Sequence, residues 1–412
     1  MQVLNICMMS VCAYLFLRYA PFKRIISLLI VFGYFFIYEY HIISRNYALS
    51  VLLIAIVFIL LSKPVKNHYL IVICLLLLSL THLYSIIISS GLCLIFIYLN
   101  RENKTKYFYF FVLVVCLFIL YSLKVPADHF LFKYDNDSFL SFKRIGKAFS
   151  IYLKGMLPFP DFTSAKVWNT NLIVAGSKTL GALISLLIFI IPLFIFKNSK
   201  LVLFFFYFTT LSICLFIYLS PIIVANRHCG FVFVILIFSF WLKKLLYPLP
   251  ILENSFYNKT AFIVLLAHVL SGFYIFFMDL KNPFSNSKNI ADFIKLNNLD
   301  SKEIYLSNLS SGPPVSAYLN KKIFYLETGQ KNSFCKWNTW PFILNINQFH
   351  KNIFKQLNSD TSLLILNKSY LNENFKGEIE NNTAPFKIIL IQSFDDAMLP
   401  SENYNLYYIL KN

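Results

Sequence analysis

Charged and histidine side chains occur in a short stretch between two apolar runs. Residues 39–47 read Glu-Tyr-His-Ile-Ile-Ser-Arg-Asn-Tyr, and residues 25–38 and 48–61 on either side are almost wholly apolar. Such runs predict membrane helices, and a charged side chain at membrane depth is costly and is usually functional or paired. The stretch therefore predicts either an anion contact at Arg45 or an ion pair between Glu39 and Arg45 that joins two helices.

The anion contact is chemically plausible because of where Arg45 lies. Ser44 is a suitable N-cap for a helix that begins at Arg45, and a helix N-terminus presents free N–H groups to anions. A guanidinium at that end adds a planar fork that matches phosphate oxygens.

Three motifs, in order, carry a family resemblance. They are Glu-Tyr-x4-Arg-Asn-Tyr at residues 39–47, Ser-Leu-Thr-His-Leu-Tyr at residues 79–84, and Asn-Arg-His-Cys-Gly-Phe from residue 226, in a span that ends at Trp241. The chain resembles the membrane part of C-type glycosyltransferases, the group that holds the protein O-mannosyltransferases and the bacterial aminoarabinose transferases. The soluble tail is similar to that of a bacterial subgroup.

The resemblance implies transfer of a sugar from a polyprenyl-phosphate carrier to an acceptor outside the cytoplasm. It implies donor-binding roles for five residues: Arg45, Tyr47, His82, Arg227 and His228. For His82 an alternative stays open, in which a neutral, buried imidazole is satisfied by a backbone carbonyl. Such chemistry also needs a carboxylate base for the acceptor's proton.

The base is the difficulty in this resemblance. Similar proteins carry an acid in a large first external loop, whereas this chain begins with what looks like a later span. We expect that the true start lies upstream, that the protein is truncated and inactive, or that another acid serves. The candidate acids are Glu39 and Asp128, with Asp135, Asp137 and Asp161 as further alternatives.

Composition excludes an ordinary soluble domain. The 412 residues are 58% hydrophobic and 14% charged, with a mean hydropathy of +0.63. The net charge of +18 arises from lysines and arginines that recur in short loops between apolar runs, which indicates membrane topology rather than nucleic-acid binding. Six of the eight cysteines lie inside apolar runs and are interpreted as small core residues.

The apolar runs predict an α-helical membrane domain over residues 1–280, with about ten spans. The positive-inside rule places the basic loops in the cytoplasm. It places residues 39–45, His82, the loop 125–171 and the tail on the other side of what we expect to be a bacterial plasma membrane. Within that loop, residues 139–153 predict an amphipathic helix on the lipid surface, with a solvated basic helix that has no lipid role as the open alternative, and residues 157–161 predict a turn.

Residues 281–412 predict a small extracytoplasmic α/β domain with a largely parallel sheet, because helix and strand patterns alternate. Its expected role is substrate recognition or a lid. No metal site and no cofactor are predicted, although a divalent cation stays open. The expected partners are the polyprenyl-phosphate sugar donor and membrane lipid. Two rival functions stay open: a non-catalytic subunit that binds lipid carriers, and a lipid or sugar transporter.

Overall fold

The protein is described by a computed structural model that covers residues 2–43, 45–123, 141–163, 167–219, 224–247, 255–308, 310–335, 346–357, 360–367 and 386–411. The chain divides into two compact units. Of the residues described, the first unit holds 2–163 and 169–277, and the second holds 167–168 and 278–411.

The first unit is helical. Its elements are α1 (Gln2–Tyr19), α2 (Arg24–Val31), a π-helical turn (Phe35–Glu39), α3 (Tyr47–Leu61), α4 (His68–Ser79), α5 (Leu83–Leu99), α6 (Lys106–Ser122), α7 (Phe142–Met156), α8 (Leu172–Gly176), α9 (Lys178–Ile195), α10 (Lys200–Leu219), α11 (Asn226–Leu246) and α12 (Ser255–Lys281).

Five helices are long and apolar enough to cross a membrane: Gln2–Tyr19, Lys178–Ile195, Lys200–Leu219, Asn226–Leu246 and Lys259–Lys281. Four more, α3 to α6, are apolar but shorter. The central helix is α11, of which 67% of the apolar window is buried. Its Trp241 is fully buried, and the indole N–H donates to the Ser62 hydroxyl at 3.1 Å.

The apolar run at residues 25–40 does not form one regular helix. α2 ends at Val31, and a π-helical turn follows from Phe35 to Glu39. At this place α12 comes very close, because a β-carbon added to Gly272 would lie 3.0 Å from the Tyr34 Cα. The apolar stretches at residues 69–82 and 84–99 predict two short spans joined by a tight turn near Thr81 and His82, and this is confirmed, with α4 ending at Ser79 and α5 beginning at Leu83.

The helix predicted over residues 139–153 is confirmed as α7. Its C-terminal half packs against α9, α10 and α11, where Ile151, Tyr152 and Leu153 are fully buried, so that part of its apolar face is covered by protein. Phe142 and Ile145 are exposed, and their contact with a lipid surface stays a prediction. Residues 157–161 form no helix, as the two prolines there predict.

The second unit is an α/β domain. It contains α13 (Ser287–Leu296), β1 (Ile304–Ser307), α14 (Gly312–Leu319), β2 (Ile323–Tyr325), β3 (Gln330–Asn332), α15 (Ile346–Gln356), β4 (Thr361–Asn367), β5 (Phe386–Phe394) and β6 (Tyr404–Lys411). One apolar layer packs α13 and α14 on the sheet, and a second layer packs α15 on the opposite face.

The sheet is mixed, so the expectation of a largely parallel sheet is wrong. The strand order is β3-β2-β1-β4-β6-β5. Only β1 with β2 and β1 with β4 are parallel within the described strands, and the other three pairings are antiparallel. Strands β5 and β6 follow one another in the chain and pair directly, which needs no crossover helix.

Candidate functional site

Glu39 lies at the end of the π-helical turn and is fully buried. The Tyr34 hydroxyl donates to its Oε1 at 3.0 Å, and Asn226 Nδ2 donates to the same hydroxyl at 3.2 Å. Within the part of the chain that the structure describes, Glu39 Oε2 is buried without a hydrogen-bond partner. A buried carboxylate oxygen in that state is costly unless another group satisfies it.

Asn226 begins α11 and joins three parts of the first unit. Its backbone N–H donates to Asn169 Oδ1 at 3.0 Å, and its Nδ2 also reaches the Thr170 carbonyl oxygen at 3.3 Å. Through Tyr34 the same side chain is connected to Glu39. The start of the central helix is therefore held in a fixed position beside the buried carboxylate.

Two arginines lie near this carboxylate. Arg227 is half-buried in the first turn of α11, and its carbonyl oxygen accepts a hydrogen bond from the Tyr40 hydroxyl at 2.9 Å. Arg45 is exposed. Both guanidinium groups lie within electrostatic range of Glu39. The structure therefore brings together three of the residues for which sequence reasoning predicted a role.

The helix after Arg45 begins later than predicted. α3 starts at Tyr47, and Asn46 occupies the N-cap position without a side-chain capping bond, so Arg45 precedes the helix rather than opening it. Ser44, the predicted cap, lies outside the described residues. Glu39 and Arg45 are both described, and they form no direct ion pair. Of the two alternatives for this stretch, the ion pair that joins two helices is therefore wrong, and the charges interact only at longer range.

Next to these charges is an aromatic–histidine cluster formed by Tyr47, His82, Tyr84, His228 and Phe231. The Tyr47 ring lies 4.9 Å from the His82 ring and 6.1 Å from the His228 ring, measured between centroids. The Phe231 ring lies 4.8 Å from His82, and Tyr84 lies 5.6 Å from His228. Three predicted donor-binding residues, from three separate helices, thus share one surface.

Each histidine also caps a helix. His82 Nδ1 accepts from the Ser85 N–H at 3.4 Å, and its Nε2 lies 3.1 Å from the Ser85 hydroxyl. His228 Nδ1 accepts from the Ala225 N–H at 3.3 Å. The backbone partner of His82 is therefore an N–H group. It is not the carbonyl group of the alternative given above, in which a backbone carbonyl satisfies a neutral, buried imidazole. An imidazole that accepts through Nδ1 can carry its proton only on Nε2 when it is neutral.

The other candidate acids contribute nothing to this site that the structure describes. Asp128, Asp135 and Asp137 lie outside the described residues. Asp161 forms a local turn, in which its Oδ1 accepts from the Thr163 hydroxyl at 2.6 Å and the Thr163 N–H at 3.1 Å. Among the described residues, no group of three or more His, Cys, Asp or Glu side chains is arranged to hold a metal ion.

Sequence reasoning missed Tyr34 and Asn226 as partners of Glu39. Tyr34 lies five residues before Glu39, a spacing that does not share a face on a regular α-helix. Asn226 was part of a recognised motif, but only the neighbouring Arg227 and His228 were predicted to bind the donor, because their side chains can carry a positive charge. A polar residue at the start of a buried apolar helix was the available signal.

Comparison with known proteins gives no further identification: no protein family, no curated protein and no solved structure matches this chain.

Proposed function

We propose that this protein is an integral-membrane glycosyltransferase-like protein of a bacterial plasma membrane, which takes a sugar from a polyprenyl-phosphate carrier to an extracytoplasmic acceptor. The observation that carries the proposal is the grouping of Arg45, Arg227 and the buried Glu39 beside the aromatic–histidine cluster. The motifs that resemble C-type glycosyltransferases are far apart in the sequence, and their residues meet at this one place.

The arginines suit the phosphate of the carrier. A lipid phosphate is a dianion or monoanion, and guanidinium groups bind phosphate oxygens through paired, charge-assisted hydrogen bonds. The backbone at the start of α11 is already engaged, because the N–H groups of Ala225 and Asn226 donate to side chains. The cationic side chains, rather than the free end of a helix, are therefore the proposed phosphate contacts.

The helices suit the lipid part of the carrier. The proposed membrane domain has about ten spans, made of the five long helices and the shorter apolar ones. Large apolar side chains are exposed along α1, α6 and α9, for example Val3, Phe118 and Leu187. Exposed apolar faces of this extent are typical of a lipid-facing surface.

The test is binding of polyprenyl phosphate to the full chain in lipid nanodiscs, measured by native mass spectrometry. Arg45→Ala should weaken binding by about ten- to hundredfold, the cost of losing hydrogen bonds to a charged group. Arg45→Lys should have an intermediate effect, because lysine keeps the charge but not the fork. Arg101→Ala is the matched control, since Arg101 is an exposed arginine beside Glu102 in a basic loop. Equal affinity of all four proteins would refute the phosphate site.

One observation favours the second candidate function, a non-catalytic subunit that binds the lipid carrier. Glu39 is completely buried and its Oε1 is engaged by Tyr34, whereas a general base must lie within hydrogen-bond reach of the acceptor. A turnover assay with a polyprenyl-phosphate sugar and the Glu39→Gln variant separates the two. A transferase that uses Glu39 as base should lose about 10²- to 10⁴-fold in rate, while a binding subunit shows carrier binding without turnover in either protein.

A further inference from the structure

A second group of polar side chains lies in the α/β domain, where β1 and β2 end. These strands are parallel, and their last residues are Ser307 and Tyr325. From β1 the chain continues to β2 on one side, whereas β4 pairs with the other side of β1. In sheets of this kind, ligands bind outside the carboxyl ends of the strands near such a reversal of strand order.

Glu327 follows β2 and extends over the end of β1. Its Oε1 accepts from the Asn308 N–H at 2.6 Å and from the Ser307 hydroxyl at 2.7 Å. Its Oε2 is buried without a hydrogen-bond partner in the described part of the domain. One half of this carboxyl group is thus fixed by the protein, and the other half is unsatisfied.

Two hydroxyl groups near Glu327 are in the same state. The hydroxyls of Tyr325 and Thr328 are both buried without hydrogen-bond partners among the described residues, and the Tyr325 side chain is fully buried. The Tyr325 hydroxyl lies against the first residue of α14, because a β-carbon added to Gly312 would lie 2.5 Å from it. Only glycine allows this close approach.

The neighbouring side of the sheet is closed by the protein itself. The Tyr404 hydroxyl donates to the Ser311 carbonyl oxygen at 3.0 Å and lies 2.9 Å from the Ser287 hydroxyl. By contrast, Asn308, Ser310 and Glu327 are only half-buried as residues, so solvent reaches the edge of the group. The unsatisfied atoms therefore lie behind a partly exposed edge on the β1–β2 side.

The chemistry of these groups indicates what could satisfy them. A carboxylate oxygen accepts hydrogen bonds, and serine, threonine and tyrosine hydroxyls both donate and accept. The Glu327 carboxylate would repel a phosphate at the N-terminus of α14, because both groups are negatively charged. A neutral ligand that carries several hydroxyl groups can donate a hydrogen bond to Glu327. It can also form hydrogen bonds with the serine, threonine and tyrosine hydroxyls.

We propose that Glu327, Tyr325, Thr328 and Ser310 form a crevice behind this edge, and that the crevice binds a sugar residue through its hydroxyl groups. The inference deepens the proposed function and rests on it, because the proposed function supplies a sugar outside the membrane. That sugar belongs either to the acceptor or to the carrier-linked donor. The crevice is made only of residues of the α/β domain, so it binds without the Glu39 region.

The experiment is saturation-transfer difference NMR on the full chain in nanodiscs prepared without glycoside detergents. The probe is an equimolar mixture of the methyl glycosides of glucose, galactose, mannose and N-acetylglucosamine. At least one glycoside should give a signal with the parent protein. Glu327→Gln keeps an acceptor for Asn308 but places an NH₂ group where Oε2 was, so the affinity should fall by about fivefold or more.

Two further variants keep the test independent of folding. Thr328→Val has nearly the same shape as the parent residue and should weaken the same signal, while Glu303→Gln should leave it unchanged. Glu303 is the matched control because both of its oxygens are engaged, by Lys331 at 2.5 Å and by the Tyr305 hydroxyl at 2.7 Å. Competition by a free oligosaccharide indicates the acceptor as the source of the sugar, and competition by a polyprenyl-phosphate sugar indicates the donor.

Three results would overturn the proposal: no signal from any glycoside, an equal signal from parent and Glu327→Gln, or a Glu327-dependent signal from ethanolamine alone. Each can occur whether or not polyprenyl phosphate binds at Arg45. The same proteins in the nanodisc binding assay described above show whether the phosphate site has failed as well, so the failures of the two proposals are distinguishable.

Discussion

The Tyr34 hydroxyl and the Glu39 carboxylate are joined by a hydrogen bond of 3.0 Å across a π-helical turn. In a regular α-helix, residues five apart point to different sides. The wider turn, closed by bonds such as that from the Tyr40 N–H to the Phe35 carbonyl oxygen at 2.9 Å, allows them to meet. Single π-helical turns inside helical segments are rare and occur frequently at functional sites.

We predict that Tyr34 and Glu39 are energetically coupled. Tyr34→Phe leaves Glu39 Oε1 without its donor and should lower the free energy of unfolding by about 1–3 kcal/mol. In a Glu39→Gln background the loss should be smaller, because an amide is less costly to leave unpaired than a carboxylate. A double-mutant cycle by equilibrium unfolding in mixed micelles measures the coupling.

The matched control for this cycle is Tyr14→Phe, since Tyr14 is exposed on α1. It should change the free energy of unfolding by less than about 0.5 kcal/mol. Additive effects of Tyr34→Phe and Glu39→Gln would mean that the observed hydrogen bond contributes no stability.

A second prediction concerns the contact between α11 and the π-helical turn. A β-carbon added to Gly230 would lie 2.7 Å from Phe35 Cε1, and both residues are buried. Gly230→Ala should therefore destabilise the first unit by about 1–3 kcal/mol through overpacking. The measurement is again equilibrium unfolding in mixed micelles.

Gly146→Ala in α7 is the control for that substitution. A β-carbon at Gly146 would meet nothing within 4 Å, and alanine is favoured over glycine inside a helix by about 1 kcal/mol. The control should be neutral or stabilising. If both variants behave alike, the close approach of α11 to Phe35 does not limit stability.

The positions of most helices and strands could be predicted from the sequence. Apolar runs and their period determine where α3 to α6 and α9 to α12 occur, and short apolar stretches in the polar tail locate β1, β2, β4, β5 and β6. β3 (Gln330–Asn332) was missed because it is short and polar. The direction of strand pairing was also missed, since a short apolar stretch does not specify its neighbours, which are chosen by packing against distant parts of the chain.

The site was predictable only in part. Charge at membrane depth identified Glu39 and Arg45, because such residues are rare in apolar runs, whereas Arg227 was singled out by the family resemblance. The partners of Glu39 could not be found this way. Tyr34 contacts Glu39 only because of the π-helical turn. Asn226 contacts Tyr34 although the two residues are 192 positions apart in the chain. The group of polar side chains around Glu327 was not predicted at all, since these side chains meet only when β1 and β2 pair.

The third prediction is the membrane topology. The basic loops place Asn198, between α9 and α10, in the cytoplasm, and they place Asn289 in α13 on the other side. Alkaline phosphatase and green fluorescent protein fusions at these two positions should report opposite compartments. The same compartment for both fusions would refute the topology and with it the extracytoplasmic position of the α/β domain.

The last prediction uses two glutamates of the α/β domain that should respond to pH in opposite ways. Burial raises the pKa of the Glu327 carboxyl, although bonds from Asn308 and Ser307 partly offset it. For Glu303, burial alone would raise the pKa, but the hydrogen bond from Lys331, with that from Tyr305, outweighs it and lowers the pKa below its usual value. The usual value for glutamate is about 4.3.

The sign of each effect follows from proton binding in the folded and unfolded states. The folded state holds the Glu327 proton more tightly, so that contribution to stability is present below about pH 4.3 and is lost as the pH rises through the raised pKa. The folded state holds the Glu303 proton less tightly, so its contribution is present above about pH 4.3 and is lost as the pH falls through the lowered pKa. Glutamine has no such proton, and each variant therefore serves as the reference for its own parent residue.

Hydrogen exchange of the β1 amides, followed from acid to neutral pH in the full chain, measures this locally. Relative to the parent protein at each pH, Glu327→Gln should become more protected as the pH rises, because it removes the cost of a buried charge. Glu303→Gln should become less protected over the same range, because the parent gains its ion pair with Lys331. Parallel rather than opposite trends would show that the environment of Glu327 does not disfavour its charge. Opposite trends would mean that the fold keeps a partly unsatisfied carboxyl group at a cost to stability, as is typical of functional sites.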